Sequence, residues 1–242
     1  MRSELPMNAP LPGIRHERLR IAGEKVATER SLEVRYPYTG EVIATVPMAT
    51  VEHVRQAIGA ARAFRSRLTR HDRYRILMRA GELIAARRDE IARLITLESG
   101  LCLKDTRYEV GRASDVLLFA ANQALVDDGQ VFSCDLTAHG RNRKVYTMRE
   151  PLAGVITAIT PFNHPLNQVI HKVAPAVATG NRILVKPSEK TPLAALVLAD
   201  VLYEAGLPPP MLSVLTGDPR EIADEMLTHA DVDLVTFTGG VA

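Results

Sequence analysis

Four short segments hold most of the chain's chemically useful side chains, and each directly follows an apolar run: Thr160-Pro161-Phe162-Asn163-His164-Pro165, Lys186-Pro187-Ser188-Glu189, Thr216-Gly217-Asp218-Pro219 and Phe237-Thr238-Gly239-Gly240. In an open parallel sheet, ligands bind beyond the C-terminal ends of the strands, so groups supplied by these segments would meet in one crevice. Their types suit binding and polarisation: an amide, an imidazole, an ammonium near a carboxylate, hydroxyls and glycines. Read singly they are ordinary. Asn163 can be a turn residue before Pro165, His164 a helix cap, Lys186 and Glu189 a solvated ion pair, and Gly239-Gly240 a flexible turn. No Gly-x-Gly-x-x-Gly follows any of the runs, so the usual dinucleotide fingerprint is missing. The two cysteines, Cys102 and Cys134, have no second Cys or His at metal-ligand spacing and no flanking residue that would activate a thiol nucleophile.

The elements that must position these segments differ between the two halves of the chain. Residues 19–26 and 32–46 alternate loosely around Ala22-Gly23 and Thr39-Gly40, as short strands joined by turns do. From residue 50 to about 129 the apolar residues recur three and four apart (Val51, Val54, Ile58; Ile76, Leu77, Ala80, Leu83, Ile84; Val110, Ala113, Leu117, Ala121), predicting successive amphipathic helices. The arginines from Arg62 to Arg79 fill the polar positions of those helices without interleaved aromatics, which reads as a solvated face rather than a nucleic-acid surface. After Pro151 the rhythm becomes βαβαβαβ: 154–160, 166–179, 182–186, 192–205, 212–216, 221–229 and 233–238. Runs such as 155–159 are apolar on both faces, as in a parallel sheet covered by helices on each side. Thr191-Pro192 predicts an N-cap with proline at the first helical position, Gly206 a left-handed C-terminal residue, and Asp218-Pro219-Arg220-Glu221 a capping box. Between the halves, residues 141–149 read as an exposed, cation-rich strand.

Composition narrows the class. The 242 residues carry 30 Lys+Arg against 28 Asp+Glu, a net charge of +2 that selects neither nucleic acid nor an anionic membrane. The first 20 residues contain no apolar signal-peptide core, and no apolar stretch reaches the ~20 residues of a membrane span. With two cysteines and no disulfide framework, a cytoplasmic protein is expected.

The four segments, in this order, resemble the aldehyde dehydrogenase superfamily, and the likeness covers nearly the whole chain. Residues 19–24 are similar to the family's opening strand and turn, and 152–166, 176–192, 205–217 and 235–240 to its successive signatures. The resemblance implies a Rossmann-like, doubly wound α/β fold with an N-terminal helical half. It assigns 1–134 and 152–242 to the cofactor domain and 135–151 to a small β oligomerisation arm. The full-length form is then expected to be a homodimer or homotetramer, and the catalytic domain is absent. The family's nucleophilic cysteine and general-base glutamate would lie beyond Gly240, so no residue of the 242 fills either role, Cys102 and Cys134 included.

The resemblance also implies roles. Asn163 would donate to the oxyanion of the reacting aldehyde, and cofactor contacts would come from Thr160, Pro161, Phe162, Lys186, Ser188, Glu189, Gly217, Phe237, Thr238, Gly239 and Gly240. Lys186 and Glu189 would hold the adenosine ribose. A carboxylate there favours NAD, although Lys186 and Ser188 could accommodate the extra phosphate of NADP. Many members carry Ser where this chain has Gly240. His164 and Arg112, with residues 206–211 and 238–242, most resemble the phosphonoacetaldehyde dehydrogenases, which implies a small anionic aldehyde as substrate; Arg107 is the alternative to Arg112. The implied reaction is oxidation of the aldehyde to its acid by NAD through a thiohemiacetal and thioester. Competing readings are a non-catalytic nucleotide-binding or dimerisation module and an inactive gene fragment.

Overall fold

The structure, a computed structural model, describes residues 13–126 and 129–240. Residues 1–12 of the N-terminal stretch and Val241-Ala242 lie outside the described residues. The chain opens with five short strands, β1 (Arg15–His16), β2 (Leu19–Ile21), β3 (Glu24–Val26), β4 (Ser31–Arg35) and β5 (Val42–Pro47). Four helices follow: α1 (Val51–Ala63), α2 (Arg70–Ala86), α3 (Arg88–Ser99) and α4 (Leu103–Ala124). A hairpin of β6 (Val131–Ser133) and β7 (Lys144–Tyr146) leads into β8 (Val155–Ile159), α5 (Pro165–Ala178), β9 (Ile183–Lys186), α6 (Leu193–Glu204), β10 (Leu212–Val214), α7 (Pro219–Thr228) and β11 (Val232–Phe237).

The predicted βαβαβαβ half forms a parallel sheet in the order β11-β8-β9-β10. The N-terminal hairpin extends it: β2 pairs antiparallel with β10, and β3 with β2. The period-two alternation of the strands sorts their side chains onto two faces. Ile156, Ala158, Ile183 and Val185 pack with the apolar stripes of α2–α6, while Val155, Leu184, Leu19 and Ile21 pack with α1 and α7. Helices therefore cover both faces, as the doubly apolar runs require. Each fully buried leucine or isoleucine contributes about 1.5–3 kcal/mol, so Leu19 and Ile21 anchor the hairpin firmly. Its turn is tight: Ala22 and Gly23 both have positive φ (48° and 87°), and Pro209 packs directly on Gly23.

Helix ends explain how the loops at the sheet are held. At the C-terminus of α6, Gly206 takes φ 98°, the Leu207 amide donates to the Leu202 carbonyl and the Gly206 amide to that of Tyr203, a Schellman closure. The same pair of bonds ends α5 at Gly180 and Asn181. At the start of α6 the expectation needs adjusting. The helix begins at Leu193 with Pro192 in the cap position, and its first amides are taken by the Glu98 carboxylate of α3 rather than by Thr191. Asp218 does cap α7 through the Arg220 amide, but Glu221 pairs with Arg30 and leaves the box open. The cation-rich strand is shorter than expected, three residues of β7, and its partner β6 lies on the other side of residue 134.

Candidate functional site

Strand register gathers the four segments at one edge of the sheet. Ile159 is aligned with Lys186 across β8 and β9, and the Thr160 amide donates to the Lys186 carbonyl at 3.2 Å. On the other side of β8, the Thr238 amide donates to the Ile159 carbonyl at 3.1 Å. Leu215, at the end of β10, donates to Val185. Thr238, Thr160, Lys186 and Thr216 thus stand in a row at the C-terminal ends of four adjacent parallel strands, where an open α/β sheet binds its ligands.

Asn163 and His164 occupy the connection from β8 to α5. The first amides of α5, those of Leu166 and Asn167, donate to Glu109 Oε1 of α4 at 2.9 and 3.0 Å. Glu109 does the capping, so the Asn163 side chain stands exposed and free of that task. His164 fills the cap position without a side-chain cap bond, and its Nδ1 lies 3.6 Å from Glu109 Oε2. The alternative reading of His164 as a side-chain cap is not realised, because Glu109 takes those amides. Arg112 is exposed on α4 one turn past Glu109, and its charge faces α5: burial first, then Arg112 and Lys172, hold the His171 imidazole below its ordinary pKa. Arg107 points elsewhere and bonds Asp89 of α3 at 2.9 Å.

The second segment is the most buried. Lys186 is only 2% exposed, with Nζ 3.3 Å from the Pro187 carbonyl and 3.4 Å from Glu189 Oε2. Burial draws its ammonium below the usual lysine pKa, and the Glu189 charge opposes that. Ser188 Oγ accepts from the Lys190 amide. Lys190 in turn lies over the Phe162 ring, 4.7 Å from its centroid, and Thr191 Oγ1 donates to the Phe162 carbonyl. The β8 and β9 loops are in this way fastened to one another. A cleft of about 450 Å³ between them and β4 is lined by Phe162, Glu189, Lys190 and Thr191. A larger cleft of about 730 Å³ runs along the other flank of α5 to Leu152 and Asn181, the starting ends of β8 and β9.

The remaining two segments supply backbone. Gly217 lies where a Cβ would stand 3.1 Å from the Ala49 amide nitrogen, a tight approach of two backbone segments. Lys172 of α5 reaches across to β11 and donates to Thr236 Oγ1 at 3.0 Å and Thr238 Oγ1 at 2.8 Å, fixing the turn that leads into Gly239-Gly240. A Cβ on Gly239 would strike the exposed Phe237 ring, whereas the space around Gly240 is open.

A dinucleotide fits this donor set. Thr160 Oγ1 is buried at the strand end without a protein partner, and the Lys186 ammonium beside the Glu189 carboxylate offers donor and acceptor to a vicinal diol. Among the described residues no group of His, Cys, Asp and Glu could hold a metal ion. Cys102 is exposed at the N-cap of α4, a helix start that sequence reading did not place there, and Cys134 follows β6.

Three residues of consequence escaped the sequence reading. Glu98 and Glu109 are 1% and 2% exposed and seat α6 and α5. Both interrupt apolar stripes, Glu98 at the spacing set by Ile91 and Ile95 and Glu109 beside Val110 and Ala113; a carboxylate on a buried face was the available signal. Lys172 lies off the stripe of α5 and gave none.

A parallel α/β sheet with its polar groups gathered at the strand ends places the chain in the Rossmann-like nucleotide-binding class. The aldehyde dehydrogenase family model matches residues 24–242, and the chain belongs to that family. It is 39% identical over 222 residues to a 3-sulfolactaldehyde dehydrogenase of Priestia aryabhattai, a match covering 91% of this chain and 46% of that protein. Among solved structures, it is similar to betaine aldehyde dehydrogenase from Staphylococcus aureus in complex with NAD+ (TM-score 0.84, 33% identity, 93% of this chain and 45% of that one). It is also similar to NADP-dependent glyceraldehyde-3-phosphate dehydrogenase from Bacillus halodurans complexed with NADP (TM-score 0.87, 31% identity, 93% and 48%). The chain spans about half the length of the relatives it matches.

Proposed function

We propose that this chain forms the cofactor-binding part of an enzyme that oxidises a small anionic aldehyde, of the phosphonoacetaldehyde or sulfonated type, with NAD. The observation that carries the reading is the row of Thr160, the buried Lys186 with Glu189, and the braced Thr238 along one edge of a parallel sheet, with Asn163 in the loop that follows Thr160. When bound, NAD would accept a hydride from the aldehyde carbon. The chain's own residues then bind and orient. Lys186 and Glu189 hold the adenosine ribose hydroxyls, and the backbone from Thr238 to Gly240 passes beneath the pyrophosphate, where amides favour negative charge. The Asn163 amide donates to the carbonyl oxygen, and does so more strongly as that oxygen gains negative charge.

The Glu189 carboxylate would repel a ribose phosphate, which favours NAD over NADP. The anionic substrate rests on His164 beside Asn163, on Arg112, and on the likeness to a sulfolactaldehyde dehydrogenase. The β6–β7 hairpin, with Val131, Phe132, Val145 and Tyr146 exposed, is the proposed contact for a homodimer or homotetramer, in a cytoplasmic setting. No helix among the described residues is long and apolar enough to cross a membrane.

Calorimetric titration of NAD and NADP into the wild-type chain and Glu189→Ala tests the cofactor reading. Losing one charged hydrogen bond, about 1.5–3 kcal/mol, should weaken NAD roughly 10- to 100-fold and NADP less. Equal NAD affinity in the two proteins would remove Glu189 from the site.

A further inference from the structure

Glu109 has more to do than cap a helix. Its Oε1 takes both amides at the start of α5, yet Oε2 is buried and has no hydrogen-bond partner. An unbonded carboxylate oxygen in that position is costly unless a positive charge compensates it. The near candidate is His164 Nδ1 at 3.6 Å, too far for a hydrogen bond and within reach of an ion pair. The side chain of His164 is about half exposed (49%) while that of Glu109 is 2% exposed, so the imidazole lies between a buried carboxylate and solvent. One ring nitrogen faces Glu109, which leaves Nε2 for a ligand.

We infer that Glu109 is a positioning residue for substrate recognition: its free carboxylate oxygen holds the His164 ring and balances the imidazolium that meets the anionic group of the aldehyde. The inference rests on the reading of His164 given above. Carboxylate, imidazolium and substrate anion then alternate in sign. The elements next to the ring also carry Arg112 on α4, His171 and Lys172 further along α5, and Lys190 against Phe162 in the neighbouring loop, all positive or able to become so. Glu98 on α3, a second carboxyl near Glu109, holds its proton up to about pH 8 and adds no charge at neutral pH. Among these, Glu109 is the charged group beside the ring, 3.6 Å from Nδ1.

Glu109→Gln keeps an oxygen for the two α5 amides and removes the charge. The assay is steady-state oxidation of phosphonoacetaldehyde and of acetaldehyde by a catalytically active polypeptide carrying these residues. E109Q should raise KM for phosphonoacetaldehyde about tenfold, through loss of the charge that holds the ring, and leave acetaldehyde within about twofold. Added to His164→Asn it should change little more, because the two residues act as a pair. His164→Lys, whose charge does not depend on Glu109, should restore KM in the E109Q background. If E109Q does not fold, Glu109→Asp decides: with the carboxylate drawn back from the ring, KM for phosphonoacetaldehyde should rise while that for acetaldehyde stays within about twofold. A parallel loss on both aldehydes, failure of the lysine rescue, or an E109D enzyme with the wild-type KM for phosphonoacetaldehyde would overturn the inference. If H164N raises the phosphonoacetaldehyde KM and E109Q does not, the role of Glu109 fails while His164 keeps its own. If H164N is also without effect, the anionic-substrate reading falls with it.

Discussion

Replacing Glu98 by glutamine should reverse its effect on stability between acid and alkaline pH. The side chain is fully enclosed, and burial pushes its pKa from the ordinary 4.5 to about 8 although two backbone amides and the start of α6 favour the carboxylate. Below about 4.5 the folded and unfolded chains both hold the proton. Between 4.5 and about 8 the folded chain keeps a proton that the unfolded chain has lost, so stability falls as pH rises, and above 8 the penalty is complete. At about 1.36 kcal/mol per unit that interval amounts to roughly 5 kcal/mol. Glutamine cannot ionise and removes this slope. It also has one oxygen where Leu193 and Ala194 use two, at 2.6 and 3.0 Å, so one buried amide loses its acceptor at a pH-independent cost of about 1–3 kcal/mol. Glu98→Gln should then be the less stable protein near pH 5 and equal or superior to wild type near pH 8.5. Urea unfolding followed by circular dichroism at several pH values measures both, and taking their difference cancels the titrations they share. A gap between the two proteins that stays constant from pH 5 to pH 9 would mean that Glu98 is ionised throughout and that the amide donors outweigh burial.

Gly23→Ala should lower stability by about 2–4 kcal/mol, because the new methyl would sit 2.5 Å from Pro209 Cβ at a backbone φ of +87°; an unchanged thermal midpoint would contradict this. Lys172→Met should remove both hydroxyl bonds at the end of β11, cost about 1–3 kcal/mol, and speed amide exchange at Thr236 and Thr238 while leaving β9 protected. A polypeptide of these 242 residues should form no NADH with acetaldehyde or phosphonoacetaldehyde, since no thiol or general base among the described residues is placed for the reaction. It should self-associate through the hairpin residues Phe132 and Tyr146. Turnover, or a monomer at high concentration in sedimentation, would refute those two expectations.

The strands and helices after residue 151 were legible because each signal is local: doubly apolar runs, amphipathic stripes, and glycines where helices end. The strand-end segments were legible for the same reason, since a parallel sheet leaves its ligand-facing groups just past each apolar run. What sequence did not disclose is held by contacts between residues far apart. Thr191 has the right type to cap α6, yet Glu98, some 95 positions earlier, takes the amides. Glu221 has the spacing of a capping box, yet Arg30 offers it a full charge. The pairing of β2 with β10 was equally invisible, because three residues of alternating character carry no mark of their partner.

That last pairing bears on how the protein is made. The Ala22 amide bonds Ser213 and the Arg20 guanidinium bonds Asp200, partners separated by 191 and 180 positions. At about 5–20 residues per second, a ribosome needs on the order of 10–40 s to deliver them. Through that interval Leu19 and Ile21, later among the most enclosed side chains, have no sheet to join. The first hairpin synthesised is thus among the last pieces to dock, and a nascent chain that stalls before β10 presents an unpaired apolar ribbon to whatever holdase or neighbouring polypeptide it meets.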